Sequence, residues 1–339
     1  MTDVIVIGAG VAGLECARRL AAAGREVLVL ERARGVGGRC ATRSFAGQVV
    51  DYGPIFLHGS DPLFLAAMSD VPGAEPAFDW PVHVLGGGAP CQPDAFQPNQ
   101  RRFVFAQGLG AVPKHLAEGL NVRLSTRVVA ITVDDATLSV QTESGETLVA
   151  KDVVIALALE QTREILKTLP ATREMSGIVA LLGMFTSVPS LTLIAGYGLD
   201  TPRPPWDVHY PEDSSCFQLI AHDSAKRANP TARVLVLQAR PRWSRARLNL
   251  PSETWATEML MEAASRLGAW AKTPRLTHAH RWSYARLERG SELGQPVSIK
   301  LPGGQRLGLA GDVFAPGGGV QAAWLSGSRV ADRFLQENT

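Results

Sequence analysis

Apolar positions along the chain switch between two periods, and the switches outline an α/β protein. Residues 4–7, Val-Ile-Val-Ile, form an unbroken β-branched run ending at glycine. That is the pattern of a strand buried on both faces of a parallel sheet. Gly8-Ala9-Gly10-Val11-Ala12-Gly13 follows, and Leu14, Ala17, Leu20 and Ala21 then recur at helical spacing as far as Gly24, a residue suited to closing a helix. Residues 27–30 predict a second buried strand, which ends in Glu31. Residues 123–133 and 137–142 predict paired strands, with a turn at Ser144-Gly145. A buried strand is also predicted at 152–158, strands at 234–239 and 307–310, and an amphipathic helix at 253–267. Residues 79–100 are rich in Pro and Gly and predict a long loop or domain crossing. Residues 201–211 contain four prolines and predict a surface loop. After Gly317-Gly318-Gly319, a last helix places Val320, Ala323, Trp324, Gly327, Ala331 and Phe334 on one face.

A length of 339 residues fits two domains. Lys+Arg is 34 and Asp+Glu is 32, so the net charge of +2 provides no global field for nucleic acid or an anionic membrane. No apolar run is long enough to span a bilayer, and the N-terminal stretch lacks the basic start of a signal peptide. Cys16, Cys40, Cys91 and Cys216 are scattered without metal-ligand spacing. They predict reduced thiols, no metal site and a cytoplasmic protein.

The glycine run carries the chemistry. Its context is strand, G-x-G-x-x-G, helix, second strand and terminal acid, the arrangement of a dinucleotide site. Gly8 allows the tight turn, Gly10 lets backbone N–H groups approach a pyrophosphate, and Gly13 lets the helix pack on the strand. Glu31 can accept from both hydroxyls of an adenosine ribose and would repel a 2′-phosphate. Beyond it, Arg32 to Arg39 form a second glycine-rich turn. There Gly37 and Gly38 allow close backbone approach, and Arg39 can neutralise phosphate charge.

Together GAGVAG, ERARGVGGR, Asp51-Tyr52-Gly53-Pro54, Gly308-Leu309-Ala310-Gly311-Asp312 and GGGVQAA resemble the FAD-binding amine oxidase superfamily. The resemblance implies an α/β fold: a Rossmann-type, GR2-like FAD-binding domain with an antiparallel-sheet substrate domain. The expected FAD domain is discontinuous, at 1–75, 104–170 and 300–339, with 76–103 and 171–299 forming the substrate domain. FAD would be non-covalent. The implied cofactor residues are Gly8, Gly10, Ala12, Gly13, Glu31, Arg32, Gly38, Arg39, Gly53, Pro54, Ile55, Val128, Gly311, Asp312, Gly319, Val320 and Gln321. Asp312 would bind the ribityl chain, and the helix beginning near Val320 would point its N-terminus at the flavin pyrimidine. Pro54 and Ile55 would lie against the flavin.

HDSAKR at 222–227, PRWSR at 241–245 and HRWSYA at 280–285 look like bacterial renalase-like proteins. That resemblance implies an FAD oxidase acting on a small-molecule substrate, a dihydronicotinamide isomer of NAD(P)H, with O2 as acceptor. Many amine oxidases place a lysine near flavin N5, on the strand after the first substrate-domain segment. The comparable stretch here is expected at 178–184, which has none.

Trp282 and Tyr284 share a face in a strand-like run and are the leading candidate pocket walls; core aromatics are the alternative. His280 and His58 are further pocket candidates, and His280 also reads as a structural histidine. Arg240, Arg242, Arg245 and Arg247 can meet substrate phosphates or form a solvated face. Amine or C–C oxidation, a non-catalytic FAD-binding protein and an NAD-dependent dehydrogenase remain as alternatives. The last leaves the second glycine turn and the Gly311-Asp312 motif unexplained.

Overall fold

A computed structural model describes residues 2–76, 82–84, 101–288 and 290–336. The chain divides into two compact units. One comprises Met1–Ala41, Val112–Ser187 and Arg286–Thr339, and the other Thr42–Ala111 and Val188–Ala285.

The first unit is built on an eight-stranded sheet. Thr2–Ile7 runs parallel to Val27–Leu30 on one side and to Thr147–Ile155 on the other. The far edge of Thr147–Ile155 pairs first with Leu138–Thr142, antiparallel, and then with Arg306–Leu309, parallel. Val4, Ile5 and Val6 are fully buried, as a parallel strand covered on both faces requires. The helices Val11–Ala22 and Gly319–Gln336 pack together at very close range. A Cβ on Gly327 would lie 2.1 Å from the Ala12 carbonyl oxygen, so only glycine permits this approach.

In the second unit a six-stranded sheet orders Leu276–Leu287, Ser187–Tyr197, Arg233–Ala239, Phe217–His222, Val208–Tyr210 and Val82–Val84. The central pairings are antiparallel, and Val82–Val84 joins Val208–Tyr210 in parallel. The helix Ser252–Leu267 buries Trp255, Met259 and Ala263 in the same core.

Several expectations are revised. Residues 178–184 do not form a strand; they lie largely in the helix Arg173–Leu182, which Thr172 caps by accepting from the Met175 N–H at 3.1 Å. Met175 and Leu182 are buried and Ile178 and Val179 pack on the core, a helical spacing that outweighs the β-branched composition. The lack of a lysine there therefore says nothing about a substrate-domain strand. Residues 123–133 split into Asn121–Arg123 and Val128–Val133, with Ser125 at a positive φ of 52° between them. The loop at 201–211 ends in the strand Val208–Tyr210, because Val208 is fully buried against the sheet. Of the loop expected at 79–100, residues 82–84 are a strand, and 79–81 and 85–100 lie outside the described residues, as does Cys91.

The unit boundaries also differ from those expected. Residues 42–75 and 104–111 belong with the antiparallel sheet, and 171–187 and 286–299 with the parallel one. Phe45, Val50, Ile55 and Phe56 share a core with Ile194, Val208 and Val236, which draws their segment into the second unit. Among the described residues, no helix is long and apolar enough to cross a membrane.

Candidate functional site

In the first unit, the glycine turn leads from the strand Thr2–Ile7 into the helix Val11–Ala22. Gly8 has a φ of 107°, and a Cβ there would be 2.5 Å from the Ala156 carbonyl oxygen. A Cβ on Gly13 would be 2.0 Å from the Gly8 carbonyl oxygen. Both glycines are therefore demanded by the protein itself. Gly10 is different. It is the helix N-cap, and a Cβ there would meet nothing within 4 Å. Its missing side chain leaves open space over the first N–H groups of a helix, the geometry that receives a phosphate.

The second glycine turn folds over the first. The Gly37 N–H donates to the Ala9 carbonyl at 2.8 Å, and a Cβ on Gly38 would lie 3.5 Å from the Gly10 Cα. Glu31 is 9% exposed, and its carboxylate accepts from the Ala9 N–H at 2.9 Å and the Ala33 N–H at 2.8 Å. A carboxylate has about four acceptor sites, so this anchoring leaves capacity for ribose hydroxyls.

Arg39 and Asp312 pair with each other. The guanidinium donates to Asp312 twice, at 2.8 and 3.0 Å, so a carboxylate meets part of its charge. Asp312 in turn holds Arg39 further from deprotonation. The bidentate pair joins the second glycine turn to the Gly311-Asp312 motif. Gly317, Gly318 and Gly319 all have positive φ as they lead into the closing helix, where Val320 and Gln321 are half-buried. Ala12 is buried beside Gly327, Val128 is buried in the sheet core, and Arg32 is exposed.

The second unit holds the other candidates. Tyr52, His280 and Trp282 form one ring cluster. Tyr52 stacks on Trp282 at 5.2 Å between centroids, and His280 meets Tyr52 edge-on at 5.0 Å and Trp282 at 4.3 Å. The Trp282 indole N–H donates to the Tyr52 carbonyl at 3.0 Å. Burial, with help from His278 and Arg43, pushes the His280 imidazole down to about 4, so it is neutral at neutral pH. Burial also raises the Tyr52 phenol. Tyr284 shares the strand but is 37% exposed. His58 is half-buried, its ring 6.1 Å from that of Phe56. Gly53 and Pro54 are half-buried, whereas the Ile55 side chain is in the core. In the basic run, Arg240 donates to the Ser214 and Pro211 carbonyls and Arg247 pairs with Glu258 at 2.7 Å, while Arg242 and Arg245 are exposed.

Sequence reasoning missed Tyr52 as a ring partner and missed the buried cluster of Asp51, Asp223, Lys226 and Arg227. Lys226 pairs with Asp51 at 2.5 Å and Asp223 at 2.9 Å, and Arg227 pairs with them at 2.9 and 2.8 Å. Asp51 and the 222–227 motif were both visible in the sequence, but nothing there pairs positions more than 170 residues apart.

The first unit thus defines a dinucleotide-binding flavoprotein fold. Residues 6–71 match the NAD(P)-binding Rossmann-like domain, and residues 78–335 match the flavin containing amine oxidoreductase family. The chain belongs to that family of oxidoreductases, and its cofactor is FAD. Over 69 residues it is 44% identical to a putative flavin-containing monoamine oxidase of Mycobacterium tuberculosis, covering 20% of this chain and 15% of the relative. A putrescine oxidase of Kocuria rosea is also 44% identical over 69 residues, 20% of this chain and 14% of the relative. Putrescine oxidase bound to putrescine shares the fold at a TM-score of 0.72, with 15% identity and 99% of each chain covered. A putative protoporphyrinogen oxidase from Exiguobacterium does so at 0.74, with 14% identity and 99% coverage of each.

Proposed function

We propose that this chain is an FAD-dependent oxidase of a small, flat, reduced substrate, of the renalase-like kind, with a dihydronicotinamide isomer of NAD(P)H as the fitting class. The observation that carries this reading is the cluster of Tyr52, His280 and Trp282, with the Arg43 cation felt by both Tyr52 and His280. Stacked rings suit a planar ring substrate. A neutral histidine and a nearby arginine favour a neutral or phosphate-bearing molecule over an ammonium ion.

FAD, when bound, would supply the hydride acceptor, with O2 taking up the electrons. The Gly10 turn and the helix start behind it would receive its pyrophosphate, and Glu31 would take the adenosine ribose. Aromatisation of the dihydropyridine supplies the driving force, so no strong base is needed. His280, pushed to about 4, suits a hydrogen-bonding role rather than deprotonation of an amine.

The second reading is amine oxidation, which the family and the fold likeness to putrescine oxidase favour. Anaerobic mixing separates the two. Dihydronicotinamide isomers should bleach the flavin absorbance rapidly and amines should not; bleaching by amines alone sinks the proposal.

A further inference from the structure

The ring cluster depends on where Tyr52 is held. Tyr52-Gly53-Pro54 joins Asp51, the last residue of the strand Gln48–Asp51, to the buried Ile55. One ammonium closes this span. Lys226 Nζ reaches Asp51 at 2.5 Å and donates to the Ile55 carbonyl at 2.8 Å, so it grips both ends. Its third partner is Asp223 at 2.9 Å. Three N–H donors meet three acceptors around one point, a geometry that suits lysine and not the planar fork of arginine.

The rest of the network is equally buried. The side chains of Lys226 and Asp223 have no exposure, Asp51 has 1% and Arg227 has 4%. Two acids and two bases cancel in charge. The Asp51 N–H donates to Asp223 at 3.2 Å, and Asp51 accepts from the Leu109 N–H at 2.7 Å. Arg227 donates to the Phe105 carbonyl at 2.9 Å. Within the span, Gln238 donates to the Gly53 carbonyl at 2.5 Å, and the Trp282 indole to that of Tyr52. Apolar residues of similar size would stabilise such a site about as well as buried ions do, so the network's distinctive effect is to fix one geometry.

We propose that Lys226 and Gln238 are positioning residues for the substrate. By holding the Tyr52–Pro54 span at its ends and at the Gly53 carbonyl, they set the Tyr52 ring in its stack with Trp282 for a flat substrate. This rests on the functional reading of the ring cluster given above.

The test uses the full-length holoenzyme and three variants. The double variant Asp51→Asn/Lys226→Met removes one charge of each sign. Gln238→Leu removes only the contact to the Gly53 carbonyl. Tyr52→Ala removes the ring itself. Flavin content, near-ultraviolet circular dichroism and steady-state kinetics with dihydronicotinamide isomers are measured for each. The double variant should keep its flavin, lose the dichroic signal of the Tyr52–Trp282 stack, and lose about 10²-fold in kcat/KM, the cost of a displacement near 1 Å. The loss should fall chiefly in KM. Gln238→Leu should lose about fivefold, the scale of one hydrogen bond, and it decides the matter if the double variant does not fold. Wild-type dichroism and kcat/KM in folded variants, while Tyr52→Ala is impaired, would overturn the clamp alone. Unimpaired turnover in Tyr52→Ala would overturn the reading of the ring cluster as well.

Discussion

Alanine at Gly10 and alanine at Gly13 should have opposite consequences, although both glycines belong to one six-residue motif. At Gly10 the backbone is extended, φ −79° and ψ 175°, a conformation open to any L-residue. The new methyl would meet no atom within 4 Å. The apoprotein should therefore lose no more than about 1 kcal/mol, the cost of alanine at a helix N-cap. Yet the methyl occupies the space over the helix N–H groups, where a bound phosphate would sit. Displacing one charge-assisted hydrogen bond forfeits about 1.5–3 kcal/mol, which is roughly a 10- to 100-fold rise in the Kd for FAD. At Gly13 the methyl would lie 2.0 Å from the Gly8 oxygen, so the helix must move off the strand. That overpacking costs about 1–3 kcal/mol in the apoprotein before any ligand is present. FAD titrated into each apoprotein, followed by flavin fluorescence, gives Kd, and thermal melts of the apoproteins give stability. The reasoning is refuted if Gly10→Ala binds FAD within twofold of wild type, or if it melts as low as Gly13→Ala.

Asp312→Ala strips Arg39 of its bidentate partner. Because the Arg39 side chain is 33% exposed, water recovers part of the loss, and we expect about 1–2 kcal/mol of destabilisation with reduced flavin content; a variant purified fully yellow with an unchanged melt argues against this. Trp282→Phe keeps a ring but removes the indole donor to Tyr52, so kcat/KM should fall about fivefold at unchanged flavin content; equal kcat/KM would show the bond to be dispensable. His222 is 4% exposed, and burial lowers it from 6.5 to about 4. The unfolded chain then protonates first, so this contribution is complete above about pH 6.5 and is lost as pH falls toward 4. Urea midpoints at pH 7.5 and 5 should drop less in His222→Phe than in wild type, and an identical drop would remove His222 as the cause.

Much of the first unit was legible because its determinants are local. The strand, glycine turn, helix and second strand within residues 2–30 each announce themselves by period and by glycine spacing. The closing motif was legible for the same reason, through Gly311-Asp312 and the glycines before the helix. The resemblance implies a strand at residues 178–184, and a short apolar run by itself fits either period. Only the depth of Met175 and Leu182 shows the face they share.

Local pattern by itself determined that one end of this chain makes a dinucleotide cradle, since the spacing of Gly8, Gly10 and Gly13 is set by turn and helix geometry. Tertiary structure alone decided which glycine the packing demands and which stands open. Gly13 is crowded and Gly10 is open, a distinction invisible in the letters. It also decided that Arg39 pairs with Asp312, and that Lys226 pairs with Asp51. Such pairings join residues separated by up to 273 positions, and no local period encodes them. Burial then makes them strong, because a charge removed from water must find its partner inside the fold.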